Sequence, residues 1–237
     1  MRPPTVRVMT YNIHHGVGLD GHLDLDRIAR TIVAANVDLV ALQEVDRLVP
    51  RSGTVDQAAE LGRLTAMHAV FGRSIALGSG EYGNALLSRW PLTDVRIVPL
   101  PNPRRREQRT ILAARVVPPA NQPLYLLATH YDHAEPATRR LGAEATLALA
   151  AQYADPTLLL GDLNAEPGSP TLRTLAAAFR DAASTDTGPT FPADVPTRRI
   201  DHVLLSATSS LRAIASQVAD EAVASDHRPL VVTVGLR

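Results

Sequence analysis

Asp38-Leu39-Val40-Ala41-Leu42-Gln43-Glu44 is a short apolar run that stops on two polar residues. It has no helical period and fits a buried strand ending at Gln43-Glu44. On its N-terminal side Leu25, Ile28, Ala29 and Ile32 recur at helical spacing behind Asp24, so a helix precedes the strand. Further back, Val6 to Tyr11 alternates Val and Met with polar residues, a first strand, and a His/Gly-rich loop follows it through Gly21. Strand, helix, strand in immediate succession marks an α/β chain.

The alternation continues toward the C-terminus. A helix is expected around Asp56 to Met67, then strands near Ala69 to Leu77, Asn84 to Ser88, Val95 to Leu100 and Ile111 to Val117, a stretch that looks like a meander. Leu124 to Thr129 is another buried strand, Ala137 to Ala154 a long Ala-rich helix, and Thr157 to Leu160 a strand that stops at Gly161-Asp162. A short helix over Thr171 to Ala178 and a Pro/Thr-rich loop from Asp186 to Arg199 lead to closing strands at Ile200 to Ser206, Ala213 to Val218 and Leu230 to Val234. The mixture fits two packed sheets with helices outside. No repeat or low-complexity linker divides it, so residues 1–237 are expected to form one catalytic domain.

With 45% apolar and 20% charged residues, the composition is that of a folded globular chain. The 24 basic and 24 acidic side chains cancel, which argues against non-specific wrapping of nucleic acid. All the basic residues are Arg, so chemistries that need Lys are excluded, and the absence of Cys excludes thiol nucleophiles and zinc-thiolate sites. No run reaches the roughly 18 apolar residues of a membrane helix, and Met1-Arg2-Pro3-Pro4 leads directly into a strand. A cytoplasmic location without a membrane anchor or obligate protein partner is the default expectation.

Asn12, Glu44, His130, Asp162, Asn164, Asp201, Asp226 and His227 each follow or begin an apolar run, and ligand sites gather at sheet ends. Carboxylate and amide oxygens suit hard cations, which implies Mg²⁺ or Mn²⁺. His14, His15, His22, His68, His133 and His202 lack the spacing of a zinc helix and are read as loop and surface histidines. Arg104-Arg105-Arg106 reads as a solvated loop between prolines, whereas Arg198 and Arg199, just before Asp201, are better placed to meet an anion.

Met9-Thr10-Tyr11-Asn12, Leu42-Gln43-Glu44-Val45, Thr129-His130, Gly161-Asp162-Leu163-Asn164, Ile200-Asp201-His202-Val203 and Ser225-Asp226-His227-Arg228-Pro229-Leu230 occur in that order. As a set they resemble the endonuclease/exonuclease/phosphatase superfamily, which includes pancreatic-type deoxyribonucleases, inositol-polyphosphate 5-phosphatases and neutral sphingomyelinases. The resemblance implies a four-layer α/β sandwich, two mixed sheets face to face with helices on both outer faces. It also implies metal-dependent hydrolysis of a phosphoester by direct attack of water. A phosphodiesterase or nuclease is the first expectation, with a phosphatase or phospholipase-C-like enzyme on a small phosphomonoester, inositol phosphate or lipid headgroup as the alternative.

Carried over by position, Glu44 is the principal metal ligand, supported by Asn12 and Asp226. Asp162 and Asn164 hold the attacking water, with Asp162 as base. His227 donates to the phosphate and is oriented by Asp201, while His130 contacts a non-bridging oxygen. Asn84 and Arg109 are candidates for touching phosphate or leaving group. His14 is a departure, standing where some nuclease branches carry an acidic residue. A binding protein on a degenerate fold would have lost one of these positions, and none is lost.

Overall fold

In the computed structural model, which describes residues 4–119, 122–183 and 186–236, the expected opening unit is β1 (Thr5–Asn12), α1 (Leu25–Ala34) and β2 (Leu39–Arg47). β1 and β2 pair in parallel across the α1 connection. α1 starts where the Asp24 carboxylate accepts the Arg27 backbone N–H at 2.8 Å, a side-chain N-cap. After α2 (Gln57–Thr65), β3 (His68–Leu77) and β4 (Gly80–Ser88) form an antiparallel hairpin, and β4 also pairs with β2.

β5 (Leu92–Pro99), β6 (Thr110–Val116) and β7 (Leu124–His130) then begin a second sheet. α3 (Pro136–Ala150) leads to β8 (Thr157–Asp162), which runs parallel to β7 and so repeats the opening unit. α4 (Pro170–Leu175), β9 (Phe179–Asp181), β10 (Asp201–Ser206), β11 (Arg212–Val218) and β12 (Leu230–Gly235) complete the chain. The two mixed six-stranded sheets have the orders β11-β12-β1-β2-β4-β3 and β5-β6-β7-β8-β10-β9.

Three apolar clusters fill the three interfaces of a four-layer sandwich. Val6, Val8, Leu39 and Ala41 meet Leu126, Leu158, Leu160 and Val203 between the sheets. The alternate residues Met9, Tyr11, Val40 and Leu42 pack with Ile28, Ile32 and Leu61 of α1 and α2. Leu127, Leu159 and Leu204 face Ala143 and Leu149 of α3 and Leu175 of α4. This is the period-two alternation of strands buried on both faces.

The middle stretch is not one meander. The chain leaves the first sheet after Ser88 and enters the second at Leu92 through Arg89-Trp90-Pro91, where Pro91 has no N–H for a ladder. Helix α3 stops at Ala150 rather than Ala154 because Tyr153 turns back onto the Ala150 carbonyl ahead of Asp155-Pro156, and its ring stacks on Tyr125 at 3.8 Å. β2 does not end at Glu44 but bulges there and continues to Arg47. No described helix is long and apolar enough to cross a membrane.

Candidate active site

The strand alternation that builds the inter-sheet core also builds the site. Counting by twos from Val8, Leu160, Ala128, Val203 and Leu86 toward the same end of the sandwich reaches Asn12, Asp162, His130, Asp201 and Asn84. These are inward positions where the aliphatic core gives way to polar side chains. Glu44 has the wrong parity for a regular strand. The register shift between Leu42 and Val45, with Glu44 at φ 59°, is a bulge, and Val45 resumes the helix-facing side. The bulge turns both Gln43 and Glu44 inward: Gln43 Oε1 accepts from the Thr10 hydroxyl at 3.2 Å and Glu44 Oε1 from Asn12 Nδ2 at 3.0 Å.

Asp162 is the hub. Its Oδ2 is approached by Asn12 Nδ2 at 3.2 Å, His130 Nε2 at 3.4 Å and His227 Nε2 at 3.6 Å, and its Oδ1 accepts the Asn164 backbone N–H at 2.9 Å. The carboxyl is 1% exposed, and this burial, with the Asp201 charge beside it, raises its pKa well above the carboxylate range although His227 opposes the shift. A Cβ at Gly161 would run into the Thr129 carbonyl, so only glycine lets β8 lie this close to β7 just before Asp162.

His227 Nδ1 sits 2.9 Å from Asp201 Oδ2. Burial disfavours its charge, but Asp201 and Asp162 outweigh burial and lift its pKa to about 10, so the ring is an imidazolium at neutral pH. Phe191 of the Pro/Thr-rich loop covers the ring at 4.8 Å, and Thr190 Oγ1 accepts from the Asp201 N–H at 3.4 Å, so the loop borders the site.

His130 is the opposite case. Burial first, then the Arg109 guanidinium, hold its pKa well below the ordinary histidine value. Arg109 Nη1 lies 2.9 Å from His130 Nδ1 and can only donate, so Nδ1 carries the lone pair and Nε2–H points at Asp162. Arg109 is therefore part of the constellation, 8% exposed and also paired with Glu107 at 2.9 Å.

Other expectations are only partly met. β8 stops at Asp162, and Asn164, expected to hold the attacking water with it, stands beyond the strand at φ 48° with Nδ2 donated to the Tyr131 carbonyl at 3.1 Å. Asn84 Nδ2 donates to the Thr110 carbonyl across the sheets at 3.2 Å, a structural bond. Arg199 donates Nη2 to Asp181 at 2.7 Å and Arg198 donates Nε to Glu166 at 2.9 Å, while Arg199 Nη1 is left without a partner.

Among the described residues, two groups of side chains offer donor atoms within 4.8 Å of one another: His14, His15 and Glu44, and Asp162, Asp201 and His227. Asp226 enters neither, although its charge acts on His15 and His227. Each group contains one buried donor atom without a hydrogen-bond partner, His15 Nδ1 and Asp201 Oδ1. The donor set fits a divalent cation, with Asn12 Nδ2 bridging Glu44 and Asp162 between the groups.

His14 and His15, read from sequence as loop residues, are brought to Glu44 by a single-turn 3₁₀ helix (His14–Gly16). Behind them Gln57 Nε2 donates to the His15 carbonyl at 2.7 Å, and its Oε1 accepts the Asp46 N–H at 2.9 Å. Asp46 is in turn held by Arg51 and Ser52. Burial, then the Arg51 charge, push the His15 pKa down to about 4. Nothing local in the sequence marks Gln57 as a support of this turn, because its partner His15 is distant along the chain, and Asp46 and Arg51 act on the turn only through Gln57.

Two mixed sheets in a four-layer sandwich carry this Asp–Asp–His–Glu–Asn cluster together, the fold and side-chain set of one family. The chain belongs to the Endonuclease/Exonuclease/phosphatase family, whose model matches residues 9–227. A solved endonuclease/exonuclease/phosphatase from Beutenbergia cavernae is 30% identical, superposes with a TM-score of 0.84, and is matched over 99% of this chain and 72% of its own. The uncharacterized Escherichia coli K12 protein YbhP is 25% identical over 97% of this chain and 96% of its own length. A mannosyl-6-phosphatase from Bacteroides thetaiotaomicron shares the fold at a TM-score of 0.78 and 17% identity, covering 97% and 99% of the two chains.

Proposed function

We propose that the protein is a divalent-metal-dependent phosphoester hydrolase that cleaves phosphodiesters by direct attack of water. The observation that carries the reading is the convergence of Asn12, His130 and His227 on one buried carboxylate oxygen of Asp162. A carboxyl whose pKa is raised by burial is a better base near neutrality than an ordinary one, because its protonated form is less acidic. In this mechanism Asp162 takes the proton of the attacking water as the new O–P bond forms and the bond to the leaving oxygen breaks. Solvent protonates the released oxygen.

His227, charged and held by Asp201, donates Nε2–H to the oxygens on which negative charge builds. Neutral His130 supplies a second Nε2–H, and Arg109 fixes its tautomer. Glu44 and Asn12, with Asp226 contributing charge, would hold the divalent cation. When bound, such an ion polarises a phosphoryl oxygen.

A second reading, hydrolysis of a small phosphomonoester or a lipid headgroup, is favoured by the balance of 24 basic against 24 acidic residues. The fold is also used by a sugar-phosphate phosphatase, the mannosyl-6-phosphatase noted above. The test is a screen with Mg²⁺ and Mn²⁺ on bis-p-nitrophenyl phosphate, single- and double-stranded nucleic acid, sugar and inositol phosphates and phospholipids, with His227→Ala as control. Diester cleavage lost in the variant supports the first reading, activity confined to monoesters supports the second, and no metal-dependent hydrolysis of any class contradicts both.

A further inference from the structure

The histidine pair beside Glu44 changes the chemistry of the metal site. We propose that His14, His15 and Glu44 form a mixed nitrogen and oxygen site that selects a transition ion of the Zn²⁺ class over Mg²⁺. Three observations lead to it. The donor atoms of all three lie within 4.8 Å of one another, and donors sharing a tetrahedral ion at about 2.0–2.2 Å stand about 3.3–3.6 Å apart, so a closing movement of about 1 Å suffices.

The second observation is the state of the rings. His14 Nδ1 lies 3.0 Å from the Val17 carbonyl, which can only accept, so Nδ1 carries the proton and Nε2 is left with its lone pair free. His15 Nδ1 is buried with no hydrogen-bond partner. Glu44 spends Oε1 on Asn12 and keeps Oε2.

The third is the backbone. His14, His15 and Glu44 adopt φ of 44°, 45° and 59°, a left-handed region that non-glycine residues seldom enter. Three residues in that region, from two separate segments, aim their side chains at one point. Two imidazoles and a carboxylate are the donor set of zinc and related ions, whereas Mg²⁺ takes oxygen and water. Arg51, the nearby cation that would oppose a metal, is held by two bonds of 2.8 and 2.9 Å to Asp46.

What the ion does rests on the hydrolase reading, but whether it binds does not. The experiment titrates the chelator-treated full chain with Zn²⁺, Mg²⁺ and Co²⁺ by calorimetry and visible spectroscopy, alongside His14→Asn, His15→Asn and the double variant. Asn is chosen because it tolerates left-handed backbone, and thermal melts check folding. The wild type should bind Zn²⁺ at least about tenfold more tightly than the double variant, show Co²⁺ ligand-field bands that the variant lacks, and bind Mg²⁺ more weakly than Zn²⁺.

Equal Zn²⁺ and Mg²⁺ affinity in the wild type, or a Co²⁺ spectrum unchanged in the double variant, overturns the proposal. The single variants His14→Asn and His15→Asn keep the assignment testable if the double variant fails to fold, each being expected to weaken Zn²⁺ binding and alter the Co²⁺ bands. Zn²⁺ selectivity without hydrolysis of any phosphoester leaves this site standing and removes the hydrolase reading. Hydrolysis supported by Mg²⁺ with no Zn²⁺ preference does the reverse.

Discussion

The two sides of the polar cluster are built differently. Asp162, Asp201 and His227 are buried, two of them on regular strands that also carry the inter-sheet core, and each is held by a neighbour of the same group. His14, His15 and Glu44 are half-exposed, stand on left-handed backbone, and are held in place by Gln57, Asp46 and Arg51 behind them. The first side is electrostatically tuned: burial raises the Asp162 pKa while paired carboxylates raise that of His227. The second is strained and less deeply buried. Asp162 and Asp201 are carried by regular strands, whereas His14, His15 and Glu44 are carried by a turn and a bulge.

The largest expected effects come from breaking one side while sparing the other. Glu44→Gln keeps the bulge and its hydrogen-bonding shape, so kcat should fall at least about a hundredfold and metal affinity should fall with it. His227→Asn should cost kcat at least about a hundredfold with metal affinity intact. Calorimetric titration beside steady-state kinetics separates the two.

His227 also gives the tuned side a pH signature. Its folded pKa of about 10 lies above the unfolded value near 6.5, so the native state binds the extra proton between them. The stabilisation is fully present below 6.5 and is lost as pH rises through about 10. Melting temperatures should fall across that window in the wild type and much less in His227→Asn, whereas Glu44→Gln should retain the wild-type slope.

His130→Gln removes a neutral donor that Arg109 merely orients, so a loss of about tenfold in kcat is expected. The smallest effect belongs to Asn84→Ala. The Thr110 carbonyl still accepts the Thr129 hydroxyl at 3.0 Å, so the change should cost about 1 kcal/mol of stability and leave kcat within about threefold.

The tuned side was the more legible in the sequence. Leu158, Leu160 and Asp162 share one parity, as do Leu126, Ala128 and His130, so a polar residue at the end of such a run is aimed where the core residues are aimed. The strained side obeys no such rule. A regular β2 would send Glu44 toward the helices, and only the bulge at φ 59° reverses it. The turn that brings two histidines to Glu44 depends on Gln57 and Asp46, which no local pattern connects to it. Sheet membership was equally hidden: β5 and β6 have strand composition like β3 and β4, and the crossing between sheets is marked by little more than Pro91.

Asp162 is where the two sides meet, since Asn12 donates to it and to Glu44, and His227 and His130 both face it. The most direct measurement is therefore metal-dependent hydrolysis of bis-p-nitrophenyl phosphate, or of whichever phosphoester the screen identifies, by Asp162→Asn, with metal affinity and melting temperature recorded on the same samples. The account predicts a kcat reduced at least about a hundredfold with the fold retained and cation binding at Glu44 within a few-fold of wild type. Turnover close to wild type in a folded, metal-binding Asp162→Asn protein would contradict it.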